Sequence, residues 1–460
     1  MPTGPFDRRS RRSRCSACAS SHLKCDGASP CNNCQRRNVA CTYHREKLLI
    51  KLDESKMKTI VSFSNRKQTQ SSAPTPQVLV PSLSTLSRYL YYFDIFVQRN
   101  NFVASTASYD LDVKSLLGTE PGCYLVHAVT ALGALQSSRL SLATSHDDSR
   151  TAIKAYSSSV VALREAMAQL TAPSRLHVLW TTLLLGVFEL MNSESGDGWL
   201  VHMVHGTGAA LQASGPSSCM SGPGQSFFLQ ARVFEVSRAL LLGESTFLSN
   251  PEWIALSESI RANGRDSHRS LDALLDLIVR CSNLRVKTGL LTEKLEYEAH
   301  DSIRYDAEVL AMEGLQLRLA LNGWRERWPL PWGPDASTLT ASDANTTALS
   351  NIFFAAISIY LSGVFDYEVL HWRNWGLSVP TLQEDQVQRH VQTILELVRF
   401  ALSHTTISPL LFLFSLRIAG ARSYDWRRRE EILDLLTKIG EQFTIANVFK
   451  TELGYVWQAR

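Results

Sequence analysis

The sequence has no apolar run long enough to cross a membrane. Its longest apolar stretches, residues 178–188 and 352–365, fall short of the roughly 20 residues that a membrane-spanning helix needs. Both stretches predict buried helices. Residues 1–14 carry five arginines and no apolar segment follows them, which is not the pattern of a secretory signal peptide. We therefore expect no membrane partner and a reducing compartment.

Motifs that indicate catalysis are also missing. The chain has no Gly-x-Ser-x-Gly elbow, His-Glu-x-x-His helix, phosphate loop or paired-carboxylate motif. His202 and His205 lie three residues apart, but no acidic residue or third histidine stands at a spacing usable for a metal site, which favours packing. We do not expect an enzyme. The alternative, a helical body that converts a small molecule, requires a polar pocket that the sequence does not reveal.

Strand signals are scarce, because no series of alternating β-branched runs is joined by Asn-Gly or Asp-Gly turns. Apolar residues recur instead at the spacing of helices. This spacing predicts a mostly α fold with a large all-helical domain over residues 82–460. The series are Leu86, Leu90, Phe93 and Val97; Ile153, Tyr156, Val160, Leu163, Met167 and Leu170; Leu271, Leu274, Leu275 and Ile278; and Ile432, Leu435, Leu436 and Ile439.

The charge is divided unevenly between the two ends of the chain. Residues 1–70 hold 15 Lys and Arg against 5 Asp and Glu, whereas the remainder holds 32 against 38. The formal net charge of +4 therefore combines a basic head with a mildly acidic body. A concentrated basic segment attracts polyanions and releases their counterions, so the two candidate partners are nucleic acid and an anionic membrane surface, and of these we expect nucleic acid.

Six of the nine cysteines lie within 27 residues and form C-x2-C-x6-C twice, displaced by 16 residues. In a reducing compartment such clustered thiols favour metal over disulfides, and zinc accepts tetrahedral thiolate sites. Each half supplies three sulfurs where a closed site needs four, so a shared sulfur from each half would complete two zinc sites. The alternatives are three disulfides, or one zinc with two spare thiols. The six are Cys15, Cys18, Cys25, Cys31, Cys34 and Cys41, with Cys15 and Cys31 as the expected bridges.

Residues 8–45 resemble the fungal zinc binuclear cluster transcription factors. The resemblance lies in the cysteine spacing, the pair Cys25-Asp26, Pro30 before the fourth cysteine and the closing Cys41-Thr42-Tyr43. It implies two structural zinc ions and a short helix in the DNA major groove, usually over a CGG triplet. It also implies a nuclear regulator of RNA polymerase II genes that recruits transcription machinery, often in a metabolic or secondary-metabolite gene cluster. Trp199, His205, Gly208, Ala209, Leu211, Gly215 and Pro216 are similar to a pattern in the helical regulatory domain of that family.

The resemblance places base contacts near the end of the first cluster helix, at Ser21, His22 and Lys24. Family members mostly carry several Arg or Lys there, whereas this chain keeps only Lys24. Because guanine O6 and N7 are read by cationic donors, a rival hypothesis is an interaction module that tethers to DNA without reading bases. Phosphate contacts are expected from Arg14, Arg36, Arg37, Arg45 and Lys47, and a nuclear localisation signal from Arg8, Arg9, Arg11 and Arg12.

The domain boundaries follow from these segments. We expect a basic arm over residues 1–14, the zinc cluster over 15–45, a flexible linker over 46–81 and the helical regulatory domain over 82–460. The linker is basic, then rich in Ser, Thr and Pro. It has a possible short coiled coil at Leu48, Leu52, Ser55 and Thr59, where only two positions are apolar. A homodimer is the expected oligomeric state.

Overall fold

The computed structural model describes residues 32–37, 39, 83–102, 109–118, 123–140, 145–167, 175–193, 206–263, 266–294, 303–329, 341–366 and 369–458. The chain divides into two compact units, residues 1–80 with 456–460, and residues 81–455. The predicted linker over residues 46–81 and its possible coiled coil lie outside the described residues. The predicted domain boundaries remain predictions.

The described residues form α-helices joined by turns and short 3₁₀ segments. Helix α1 belongs to the smaller unit, and helices α2 to α16 belong to the larger one. The helices are α1 Asn32–Arg37, α2 Leu83–Arg99, α3 Tyr109–Leu117, α4 Cys123–Leu140, α5 Ser145–Met167, α6 Arg175–Asn192, α7 Gly208–Ser214, α8 Gly222–Leu242, α9 Pro251–Asn263, α10 Asp266–Lys294, α11 Arg304–Arg327, α12 Ala341–Asp366, α13 Val369–Asn374, α14 Glu384–His404, α15 Leu413–Ala421, α16 Trp426–Gln442 and α17 Ala446–Gln458. The mostly α prediction is confirmed. Among the described residues the single β-type pairing is a parallel bridge between Asn101 and Ile407.

Two groups of helices make up the larger unit. In the first, α4 packs against α2, α5 and α6, and in the second α12 packs against α10, α14 and α15. Helix α8 contacts α6 of the first group and α10 of the second. Backbone pairing also joins the groups, because the amide of Asn101 donates to the carbonyl of Thr406 at 2.8 Å.

Most of the predicted apolar faces are buried. In α16 the buried residues are Ile432, Leu435, Leu436 and Ile439, as the spacing predicts. The helix begins where the Asp425 side chain accepts a hydrogen bond from the amide of Arg427, which satisfies one of the free N–H groups of the first turn.

The predicted inward face of α5 is wrong by about one position. Ile153 and Met167 are exposed, whereas Ala152, Ala155 and Ser159 are buried with Leu163. The reason is close packing against α4, where small side chains let two helix backbones approach.

A buried carboxylate ties α5 to its neighbours. Asp148, 1% exposed, accepts from Nη2 of Arg88 at 2.6 Å, from the Tyr89 hydroxyl at 2.9 Å and from the Ser137 hydroxyl at 2.7 Å. These partners lie on α2 and α4, so one side chain joins three helices. A buried charge with several hydrogen bonds is tolerated, whereas loss of a partner leaves it uncompensated.

The longest apolar helix is a core helix. The segment Asp343–Asp366 of α12 is long and apolar enough to cross a membrane, which corrects the shorter run read from residues 352–365. The apolar run in the sequence begins only at Ile352, because polar residues such as Thr346, Thr347 and Asn351 precede it, whereas the helix already includes them. Because 89% of its apolar window is packed against other parts of the fold, the prediction of a buried helix is confirmed.

Candidate zinc centre and nucleic-acid interface

The described part of the cysteine-rich segment is a short helix with a buried thiol and a basic outer surface. Cys34 of α1 is 1% exposed, while Arg36 and Arg37 are exposed in the last turn of the same helix. The amide of Val39 donates to the carbonyl of Cys34 at 3.1 Å, which satisfies a carbonyl near the end of the helix. The arrangement directs sulfur inward and positive charge outward.

The other predicted residues of this centre lie outside the described residues. They include five cysteines, the three base-contact candidates, the remaining phosphate contacts and the localisation signal. The structure therefore places Cys34, Arg36 and Arg37 on one helix. Those outside are Cys15, Cys18, Cys25, Cys31, Cys41, Ser21, His22, Lys24, Arg14, Arg45, Lys47, Arg8, Arg9, Arg11 and Arg12.

The donor set of this segment fits zinc. Thiolates are soft ligands, and a short segment has too little apolar area to fold around a core of its own, so metal coordination provides the missing free energy. Cys34 is buried on a helix that otherwise carries polar and charged residues, which is the environment of a structural ligand. Zinc bound there would hold the two halves of the repeat together.

Two cysteines of the helical body have a different chemistry. Cys219 and Cys281 are both fully buried, and burial raises the pKa of Cys219 and raises that of Cys281 to about 12. A thiol with a raised pKa stays protonated and is a poor metal ligand or nucleophile. Within the described ranges of the chain, no group of three or more His, Cys, Asp or Glu side chains is arranged to hold a metal. His202 and His205 lie outside those ranges.

Comparison with known families matches both units. The model of the Fungal specific transcription factor domain matches residues 71–460, which is most of the chain. The chain belongs to this family of fungal transcription factors. The model of the Fungal Zn(2)-Cys(6) binuclear cluster domain matches residues 14–49. This second match identifies the cysteine repeat as a domain that binds two zinc ions structurally, so the prediction of the cofactor is confirmed.

One similar relative is the uncharacterized protein AN5342 of Emericella nidulans, 35% identical over 126 residues. The match covers 26% of this chain and 27% of the relative, so the chain spans about a quarter of the length of the curated protein that it matches. No solved structure matches the chain.

Proposed function

We propose that this zinc cluster protein is a sequence-specific transcription factor that binds duplex DNA in the nucleus. The observation that carries the proposal is the buried Cys34 beside the exposed Arg36 and Arg37, in a segment with a surplus of positive charge. Cations on the outer surface of a metal-stabilised helix are suited to phosphates, while the zinc ions only maintain the fold. Its genes would be RNA polymerase II genes of a metabolic or secondary-metabolite cluster.

The six cysteines are proposed as the ligands, with Cys15 and Cys31 as the sulfurs shared by both zinc ions. Six thiolates with two shared ones give each zinc four contacts, the number that closed structural sites have. The family match to residues 14–49 supports this set because it includes all six.

Base reading is proposed for Ser21, His22 and Lys24, from a short helix in the major groove over CGG-type half-sites. Lys24 supplies the cation that guanine O6 and N7 require, and a histidine ring can donate a further hydrogen bond. Arg14, Arg36, Arg37, Arg45 and Lys47 would contact phosphates, and Arg8, Arg9, Arg11 and Arg12 would act as the nuclear localisation signal.

A second copy of the chain is the proposed partner of helix α11. Tyr305, Val309, Met312 and Leu319 are 74%, 48%, 56% and 69% exposed, and their spacings of four, three and seven residues place them on one face of the helix. Flanking acids are already neutralised, since Lys287 pairs with Glu313 at 2.8 Å and Lys294 with Asp306 at 2.9 Å. A two-fold axis along this stripe would bury apolar area without setting unpaired like charges against each other.

Selection from random duplex DNA tests the proposal. The full-length chain would be incubated with the library at physiological salt, once with zinc and once with a chelator. We expect zinc-dependent enrichment of one motif that contains single or paired CGG triplets. Enrichment of no motif by the zinc-loaded protein, with a steep dependence of binding on salt, would instead support the rival interaction module.

A further inference from the structure

The helical body contains a cavity of about 880 Å³ between α8, α9, α10 and α11. This volume lies within the range of small-molecule sites, roughly 300–1,000 Å³. All of the cavity belongs to the unit over residues 81–455. It is separate from the cysteine repeat, and neither zinc binding nor DNA binding explains it.

Five arginines line the cavity, against two acidic residues, Glu258 and Asp276. Asp276 pairs with Arg261, and Nη2 of Arg269 donates to the carbonyl of Ala262 at 3.0 Å. The lining therefore keeps a surplus of positive charge inside a concave, partly desolvated space, where an anion is attracted more strongly than in water. The five are Arg232, Arg261, Arg269, Arg280 and Arg327.

Arg232 gives the clearest sign of a missing acceptor. Its side chain is 3% exposed and its Nη2 pairs with Asp272 of α10. Its Nε and Nη1 atoms have no hydrogen-bond partner within the described structure. Buried donors without acceptors are costly and rare in folded proteins. Both atoms have almost no accessible surface in this conformation, so acceptor oxygens of a bound anion would satisfy them after the guanidinium turns toward the cavity.

Two indole rings form another part of the lining. Trp324 and Trp328 line the cavity with ring centroids 6.0 Å apart, and Cζ of Arg327 lies 5.0 Å from the centre of the Trp328 ring. Nε1 of Trp324 donates to the carbonyl of Ser270 at 2.8 Å, which fixes the orientation of this indole. Gly323 beside them leaves room, since a Cβ at that position would meet nothing within 4 Å. Trp324 is 3% exposed, so a flat apolar group would find its contacts mainly on Trp328.

We propose that this cavity is a binding site for an organic carboxylate with a flat apolar body, held with its carboxylate toward Arg232 and its body against Trp328. Guanidinium donors recognise carboxylates by charge-assisted hydrogen bonds, and planar groups pack on indole rings. A site of this kind would couple a small acidic metabolite to the helical domain. The inference goes beyond the proposed function and does not depend on it.

Calorimetric titration of the full-length, zinc-loaded chain tests the site. The probes are naphthalene-2,6-dicarboxylate, the neutral naphthalene-2,6-dimethanol and inorganic phosphate. We expect the dicarboxylate to bind with a Kd of about 1–100 μM, and the other two to bind at least roughly tenfold more weakly. Equal binding of inorganic phosphate or of the neutral diol, or no binding of the dicarboxylate, would overturn the proposal.

Two matched variants locate the binding. Gly323→Leu places a side chain in the cavity, whereas Gly454→Leu places one on α17, where a Cβ also meets nothing within 4 Å. We expect Gly323→Leu to weaken dicarboxylate binding by roughly tenfold or more, and Gly454→Leu to leave it unchanged. The double variant Arg232→Gln with Asp272→Asn removes the ion pair as a whole and should weaken binding similarly.

These outcomes are independent of the DNA experiment. The titration contains no DNA and the selection contains no carboxylate. A negative result in one experiment therefore does not contradict the proposal that the other experiment tests. Unchanged binding in Gly323→Leu, with a melting temperature like that of the parent chain, would place the dicarboxylate elsewhere and contradict the assigned site. If the Arg232 variant does not fold, the comparison of Gly323→Leu with Gly454→Leu still shows whether the dicarboxylate binds in the cavity.

Discussion

Gly133 of α4 lies against the carbonyl of Tyr89 of α2, so closely that a Cβ on Gly133 would stand 2.1 Å from the carbonyl oxygen and 2.8 Å from the carbonyl carbon. Both atoms belong to the backbone and cannot move away as a flexible side chain can. The same turn of α2 presents Arg88 and Tyr89 to Asp148. The close approach of α2 and α4 is therefore what allows Asp148 to join three helices.

Replacement of this glycine is expected to destabilise the helical body. Gly133→Ala should lower the free energy of unfolding by about 1–3 kcal/mol or more, because the helices must separate to admit a methyl group. Gly454→Ala is the control, since it adds a methyl group to a helix where nothing lies within 4 Å and should stabilise by about 0.5–1 kcal/mol. Denaturant unfolding measures both. Equal stability of the two variants would show that α2 and α4 are not in contact at Gly133.

Zinc content distinguishes the cluster cysteines from those of the body. Cys34→Ala should lower the zinc content below two ions per chain, and Cys31→Ala should lower it at least as far, since a shared sulfur serves both ions. Cys219→Ala removes an equally buried thiol and should leave the zinc content unchanged. Elemental analysis after dialysis gives the result. Native zinc content and native DNA affinity in Cys31→Ala would exclude the shared-sulfur arrangement.

DNA binding should respond differently to the two groups of cations. Arg36→Gln is expected to weaken binding to all sequences alike and to reduce the slope of log affinity against log salt by about 1, as loss of one phosphate contact does. Lys24→Gln should cost about 1–3 kcal/mol on the selected motif and little on unrelated DNA. Fluorescence anisotropy on both duplexes separates the effects. A uniform loss in Lys24→Gln would assign that lysine to the backbone instead.

The sequence was sufficient for the helices and the cysteine repeat, because both are periodic patterns that local chemistry determines. Ile432 and Leu436 are buried as predicted. The buried face of α5 was not predicted correctly, because Ala152 and Ala155 have low hydropathy and their burial depends on the packing of α4. The arginine-lined cavity could not be predicted either. Its residues come from four helices and adjoining segments between positions 232 and 328, and nothing in their spacing indicates that they meet.

Association of the chain should depend on the exposed stripe of α11. Met312→Glu with Leu319→Glu introduces charges in its centre and is expected to shift the chain from dimer to monomer, because apolar contact is replaced by like-charge repulsion. Val161→Glu changes an exposed apolar residue of α5, 56% exposed, and should leave the dimer intact. Sedimentation velocity gives the oligomeric state. A parent chain that is monomeric at high concentration would contradict the proposed contact.

The helical body should lose stability in mild acid through His390. Burial, with the charges of Arg318, Arg389 and Arg325, lowers the pKa of His390 to about 4. The ring is therefore neutral in the folded chain, whereas the unfolded chain takes up a proton near pH 6.5. The contribution of the neutral ring to the free energy of unfolding is complete above pH 6.5. It is lost as the pH falls toward 4, by up to about 3 kcal/mol.

His390→Gln cannot take up the proton, so its unfolding free energy should fall less between pH 7.5 and pH 5 than that of the parent chain. Both proteins carry the same zinc cluster, and loss of metal in acid therefore cancels in the comparison. Parallel pH profiles in denaturant unfolding would mean that the ring is solvated in the folded state.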